Sequence, residues 1–541
     1  MPMNEEKPQA ESSYWLMQPL IFALLLALGF SLGVFFNGSS NVQIIKSDKS
    51  RSVSSGSMHK LGEILNFVQT KYVDSVDVDQ LADVAARAIL EELDPNSYYI
   101  SREETSAVNQ RMQGNMEGIG VEFFVFRDSL HIIDVFPGGP ADNADIRTGD
   151  IILSVNDSLV TGMDRSLENI MTLMRSEPAR PVRLELLRPS EEEINEIIVT
   201  RGTVPINSIG ASYLIDDNLL YVKINSFTSR TYREFMESIE TKISDSEEFD
   251  LILDLRHNPG GYLQEAVKIL SQMFGQSGLE LVKTRGYSSQ ERVYRTTGQQ
   301  FFRVGKVAVL IDGASASASE IIAGVLQDLD RAIVIGTHSY GKGSVQEHYR
   351  LRDNSAIRLT VSRYYIPSGR SIYKKVEDDY YSSDVTDETF DVGKTFLTAN
   401  GRKVFEGRAI EPDILIDQDS FLTKRSYSMF RNTINRLAFV YFRESLGTTE
   451  DITSKGSAVD IPVQWKEDFL ELAEEEFGNR DIEEDLVNYS DRVKNLLMAR
   501  IARYEHGPAG YYKQLNHNDP FVIMAKEALY SDYHYQAMLQ K

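Results

Sequence analysis

Four apolar runs separated by amphipathic stretches constrain this 541-residue chain more than any other feature. LLYVKINSF (219–227), DLILDLR (250–256), KVAVLID (306–312) and RAIVIGT (331–337) read as core strands. YREFMESIETKIS, YLQEAVKILSQMF and SEIIAGVLQDL, lying between them, carry apolar residues at helical spacing. Strands alternating with helices imply an α/β core over residues 202–417.

The text on either side differs. Over 58–112 the pattern is helical, with Leu61, Ile64, Leu65 and Val68, then Leu81, Val84, Ala85, Ala88 and Ile89, on single faces until LDPNSYYIS breaks the run at Pro95. Residues 113–201 turn to short strands and turns. GIGVEFF and HIIDVFP read as strands, PADNADI as a short helix and GDIILSVND as a turn and strand; Ser166 to Arg175 reads as a second helix and VRLELLRP as a closing strand. Residues 418–541 form a helical extension rich in acids and tyrosines, whose apolar stripes suit a core or a dimer surface. KKVEDDYYSSDVTDETFD (374–391) reads as a solvated surface insertion.

At the amino end Leu16 to Phe36 is free of charge for 21 residues, long enough to span a bilayer. FFNGSSN offers a poor cleavage site, so residues 15–36 read as a retained single-pass anchor after a short tail (1–14), with 37–57 as a flexible tether. Lys7 is outnumbered by Lys46, Lys49 and Arg51 beyond the span, so the count of basic residues argues against an outward-facing body. A formal charge of −23 argues against nucleic-acid binding. Cysteine is absent, which excludes disulfides and thiolate chemistry. No cluster has metal-ligand spacing, and no cofactor is implied.

Chemistry concentrates in DGASASASEIIAG (312–324), where Ser315, Ser317 and Ser319 stand between a strand and a helix. A helix start offers free N–H groups to an oxyanion. Ser317-x-x-Glu320 is equally a capping box, in which the serine only satisfies the helix end. Two kinds of base are on offer. His338, His348 and His257 lack any evident orienting partner in the sequence. Lys342, flanked by Gly341 and Gly343 in HSYGKGSVQEHY, could act if burial kept it neutral, with Gln346 orienting the amine and the glycines allowing close approach to the serine. GKGS fails the phosphate-loop pattern. LRHNPGGYL, after the second strand, could supply a further oxyanion donor.

DLRHNPGG, SASASEIIAGVLQD and GKGSVQ, in that order and spacing, resemble the carboxyl-terminal processing (tail-specific) serine peptidases from about Leu61 to Ile416. The resemblance implies Ser317 as nucleophile, Lys342 as base and Gln346 as its positioner, with the N–H groups of Ala318 and Gly261 as oxyanion hole. GIGVEFF with FPGGPADNADIRTGDIILSVND resembles a bacterial PDZ domain, β-rich with two helices, inserted before the protease core. Such a domain would bind a free, apolar carboxyl terminus at Gly118, Ile119, Gly120 and Val121. Thr337-His338-Ser339-Tyr340 departs from the Glu-x-Thr-Phe common in the family, which brings His338 near the site.

The expectation is therefore a membrane-anchored endopeptidase cutting near carboxyl termini, its body in the periplasm of a bacterial inner membrane. The resemblance leaves room for a delivering lipoprotein and a homo-oligomer. A silent PDZ scaffold binding protein tails, and a Ser–His hydrolase using His338, are the competing readings.

Overall fold

The uninterrupted apolar runs are explained by a sheet covered on both faces. The computed structural model describes residues 55–540 apart from 127–128, 161–173, 175–179, 190–192, 245–247, 375–392, 417–424, 446–460 and 479–481. The expected anchor (15–36), most of the tether, the expected helix 166–175 apart from Met174, and the acidic insertion beyond Lys374 lie outside the described residues. Among those described, no helix is long and apolar enough to cross a membrane.

In chain order, helices α1 (Ser55–Lys71) and α2 (Val78–Glu91) precede β1 (Tyr98–Ile100) and α3 (Arg102–Met112). The Asp77 side chain caps α2, and a Ser101–Glu104 capping box starts α3. A β-rich domain follows, entered on β2 (Asn115–Gly118) and left on β9 (Gly202–Pro205), which pair antiparallel and close the insertion. It holds β3 (Val121–Phe126), β4 (Ser129–Val135), the short α4 (Pro140–Asn143), β5 (Ile151–Val155), β6 (Ser158–Leu159), β7 (Pro181–Arg188) and β8 (Glu193–Thr200). Strand β8 follows the expected closing strand and pairs with it. The sheet order is β3-β4-β5-β7-β8, with β6 on β5, so β3 is an edge strand.

The core is built on β10 (Ile209–Asp216), β11 (Leu219–Ile224), β12 (Glu248–Asp254), β15 (Arg303–Ile311), β16 (Ile333–Gly336) and β21 (Ile414–Leu415), in that spatial order and parallel except for β10. On one face Leu220, Val222, Leu251, Leu253, Val307 and Val309 pack under α5 (Thr231–Glu240), α6 (Leu263–Gln272) and α7 (Ala318–Asp328). Alternate residues Tyr221, Ile252, Ala308, Leu310, Ile333 and Ile335 face the other way. They are covered by Val522, Ala525 and Leu529 of α11 (Pro520–Tyr530) and Tyr535 and Leu539 of α12 (Asp532–Leu539). Burying a side chain such as Leu529 contributes roughly 1.5–3 kcal/mol. A parallel sheet needs both faces covered, and here the carboxyl-terminal extension supplies the second cover.

A second sheet, unread in the sequence, runs β1-β18-β13-β14 with β17 on β18; its strands are β13 (Ser277–Arg285), β14 (Arg292–Thr297), β17 (Ser344–Arg350) and β18 (Ala356–Tyr365). The pair β19 (Thr395–Leu397) and β20 (Lys403–Phe405) stands apart. LDPNSYYIS is thus the start of a strand docked on β18, where the Thr360 N–H donates to Ser97 Oγ (3.1 Å) and the Thr360 hydroxyl to Asp94 Oδ1 (3.1 Å).

Before α11 the extension forms α8 (Arg425–Ser445), α9 (Trp465–Phe477) and α10 (Ile482–Leu515), the last kinked where Gly507 (φ +65°) precedes Pro508. These helices share a core with the outer side of β3 and β4. The Phe439 ring centre lies 5.8 Å from Phe124, 5.7 Å from Phe126 and 4.6 Å from His131. Arg503 of α10 pairs with Glu122 at 2.5 Å, while Val121 and Phe123 turn inward to the β domain's own core. The helical stripes of the tail are therefore buried within the chain itself.

Candidate active site

The three serines have different fates. Ser315 is fully buried; its hydroxyl donates to the Leu255 carbonyl (2.9 Å) and accepts from the Asp312 N–H (2.9 Å). Ser319, also fully buried, donates to the Asn258 carbonyl (3.0 Å). Both fasten the strand-to-helix turn to the loop after β12. Ser317 takes φ +56°, ψ −112°, a strained conformation for a non-glycine residue and unlike the extended backbone of an ordinary cap. A sharp strand-to-helix turn of this kind presents a nucleophilic serine in other hydrolases. The Ser317 side chain interacts with the Tyr364 phenol, which burial pushes up to about 12.

Glu320 organises the surroundings. Its Oε2 accepts the Ser317 N–H (2.8 Å), as a capping box requires, but also the Lys342 N–H (2.8 Å). Its Oε1 accepts the Ser339 hydroxyl (2.6 Å) and the Gly341 N–H (2.6 Å). Burial raises the carboxyl, against the four bonds that favour its charge. One buried carboxylate thus joins the serine turn to the lysine loop. In the sequence Glu320 is legible only as a cap, because its contacts beyond Ser317 are some twenty residues distant.

Lys342 is half-buried, and its side chain has no hydrogen-bond partner among the described residues. Burial first, then the Arg358 guanidinium, lower its pKa, opposed by Glu320 and Asp94. The backbones of Ser317 and Lys342 meet at Glu320, while their side chains are not hydrogen-bonded to each other. Catalytic hydrogen bonds are commonly loose in unliganded enzymes. Gln346, on β17, turns its amide NH₂ to Ser344 Oγ (2.8 Å) and Thr360 Oγ1 (3.4 Å), and no donor reaches its Oε1 among the described residues. Contrary to the expectation from sequence, Gly341 and Gly343 do not serve a close approach to the serine. A Cβ at either would strike Lys374 or Tyr373 instead. The close approach belongs to Gly260, at φ +93°, where a Cβ would lie 2.6 Å from the Ala316 carbonyl oxygen and 2.8 Å from Ser317 Cβ.

The loop carrying Gly260 is held on all sides. The Asn258 NH₂ donates to the Ile224 carbonyl (2.9 Å), its Oδ1 takes the Gly260 N–H (2.9 Å), and the Gly260 carbonyl accepts from the Phe227 N–H (2.9 Å). Gly260 N–H is therefore spent. The N–H groups of Ala318 and Gly261 have no acceptor among the described residues. Just upstream, Arg256 grips Asp254 through Nε (3.1 Å) and Nη2 (2.7 Å). Burial would raise Asp254, but the charges of Arg256 and Lys223 hold it well below the usual carboxylate range.

The histidines stand aside. His338 is exposed and lies 3.6 Å from Glu411; His257 is exposed and pairs with Asp312 at 3.0 Å. None is hydrogen-bonded to Ser317 among the described residues. No group of His, Asp or Glu there could hold a metal ion.

In the β domain, the carbonyls of Ile119 and Gly120 accept from the N–H groups of Ala141 (2.7 Å) and Phe136 (3.0 Å), while their own N–H groups find no acceptor among the described residues. Gly118 and Val121 flank them at the ends of β2 and β3, so the loop opens at the start of the edge strand.

Residues 218–382 match the model of peptidase family S41, and residues 131–188 a PDZ domain. A carboxy-terminal-processing protease of Bartonella bacilliformis is 31% identical over 350 residues, covering 63% of this chain and 79% of that protein. The chain belongs to peptidase family S41. Carboxy-terminal processing protease CtpA of Bacillus subtilis is 27% identical over 417 residues, covering 74% of this chain and 87% of its own. The solved photosystem II D1 C-terminal processing protease is 24% identical, covering 68% of this chain and 94% of that one, with a TM-score of 0.34. This S41 peptidase is a carboxy-terminal processing serine peptidase with a PDZ domain, an α/β core and a helical carboxyl-terminal region. The expectation of an enzyme holds, and the silent-scaffold reading is set aside.

Proposed function

We propose that this S41 peptidase is a membrane-anchored endopeptidase that binds a free protein tail on its PDZ domain and cuts near that tail with a Ser317–Lys342 dyad. The observation that carries the reading is the Glu320 carboxylate, which accepts the backbone N–H groups of both residues. The tail adds to the free edge of β3, its carboxylate received by the Ile119 and Gly120 N–H groups. Neutral Lys342 takes the Ser317 proton as Oγ attacks the scissile carbonyl. The Ala318 and Gly261 N–H groups stabilise the oxyanion, and Lys342 returns the proton to the leaving amine. Water, deprotonated by the same lysine, then releases the acyl group. Gln346 orients the amine through Oε1. Residues 15–36 anchor the chain, with the catalytic body on the periplasmic side.

The test is cleavage of an unstructured protein with an apolar tail by the detergent-solubilised full chain. Ser317→Ala and Lys342→Ala should abolish cleavage, His338→Ala should retain it, and amidating the tail should slow it. Because the working lysine is neutral, kcat/KM should rise with pH through a Lys342 pKa below the ordinary value of about 10.4. Activity that instead fades only below about pH 6.5, and vanishes in His338→Ala, would make the base a histidine.

A further inference from the structure

The loop that supplies Gly261 begins at Arg256, and one partner of Arg256 comes from far outside the matched family segment. Asp519 stands between α10 and α11, 137 positions beyond residue 382 where the S41 match ends. Its Oδ1 caps α11 by accepting the N–H groups of Phe521 (2.8 Å) and Val522 (3.3 Å). Its Oδ2 takes Arg256 Nη1 at 2.8 Å, and the Phe521 ring centre lies 4.8 Å from the guanidinium carbon. Both side chains of the pair are nearly buried, at 13% and 12% exposure. Arg256 therefore has Asp254 on one edge, Asp519 on the other and an aromatic face beside it. Lys223 completes the cluster, 3.5 Å from Asp254 and bonded to the Arg256 carbonyl. Asp312 also acts on Lys223, whereas Arg256 has only Asp254 and Asp519 as carboxylate partners among the described residues. Without Asp519, Arg256 would share Asp254 with Lys223, and a charge poorly compensated at low dielectric is costly enough to move its side chain. Arg256 is five residues before Gly261, on a stretch with bonds at both ends and little slack.

We infer that Asp519 is a positioning residue for the hydrolytic reaction, holding Arg256 and through it the oxyanion loop 257–261. The carboxyl-terminal extension thus completes the active site as well as covering the sheet. This rests on the reading of Gly261 as an oxyanion donor. A positioning role differs from a purely structural one because it acts on the transition state more than on the bound ground state.

Asp519→Asn and Asp519→Ser both keep a good cap for α11 while removing the charge that Arg256 meets. In the full chain each should still fold, with a melting temperature below wild type because a nearly buried ion pair loses one partner. Each should lower kcat by roughly tenfold or more, since displacements near 1 Å cost about 10²-fold, with KM little changed. A peptide aldehyde, whose hemiacetal oxygen would occupy the oxyanion position, should lose affinity by the same factor, and the product peptide should not. Unchanged kcat and aldehyde affinity would overturn the inference. So would a lower kcat with unchanged aldehyde affinity, which means only fewer folded molecules, or a gain in activity, which means that only net charge matters. Ser317→Ala and Lys342→Ala, assayed in parallel, separate this from failure of the dyad itself: if they still cleave, the dyad is wrong whatever Asp519 does.

Discussion

Replacing Glu320 by glutamine is a near-isosteric change whose cost can be worked from the four bonds the carboxylate accepts. With the amide NH₂ at the Oε2 position, the Ser317 and Lys342 N–H groups would both face a donor. With it at Oε1, the Ser339 hydroxyl can rotate to accept, leaving only the Gly341 N–H unpaired. The second orientation wins. One buried donor without a partner costs about 1–3 kcal/mol. For a core of this size that lowers the melting temperature by roughly 2–12 °C, at about 2–4 °C per kcal/mol. Cleavage should suffer more than stability, because Gly341 can find a new acceptor only by moving the loop that carries Lys342, and a shift near 1 Å costs about 10²-fold in kcat. Glu320→Ala, which strands all four donors, should be worse in both respects. Differential scanning calorimetry and single-turnover cleavage of the intact chain measure the two effects. A Glu320→Gln enzyme with wild-type melting and wild-type kcat would show that the carboxylate does not hold the site together.

Two further outcomes follow from the geometry. Gly260→Ala places a Cβ 2.6 Å from the Ala316 carbonyl oxygen at φ +93°, so labelling of Ser317 by a fluorophosphonate should slow by about 10²-fold; labelling at the wild-type rate would show that loop and serine move independently. His131, on β4, packs against Phe439, its pKa lowered to about 4 by burial first and Arg443 second. The unfolded chain therefore binds this proton from about pH 6.5 downward while the folded chain resists until about 4. Stability should be full above that window and fall by about 3 kcal/mol on crossing it. Melting curves from pH 7 to 4 should show this loss in wild type and a smaller one in His131→Phe; parallel curves would refute the assignment.

Much of the core was legible because its signals are local. A strand such as Ile333–Gly336 must be apolar throughout if both its faces are buried, and a helix such as α7 must repeat its apolar residues along one side. The order of the three loop motifs is equally a property of the chain. The second sheet was harder to see, since β17 and β18 mix polar and apolar residues without a regular alternation, and β1, more than 250 positions away, docks beside β18.

What the sequence alone determined, then, was the succession of elements, the absence of thiol chemistry, and a short set of candidates in which Ser317 and Lys342 stood out. Tertiary structure decided which of three neighbouring serines was left unfastened, because Ser315 and Ser319 are spent on a loop some sixty residues earlier. It decided that Glu320 is a junction rather than a cap alone. It also turned the tail from an appendage into the second cover of the sheet and the partner of Arg256. These are contacts between distant segments. Periodicity and capping act over three or four residues, and carry no record of which surfaces meet once the chain has folded.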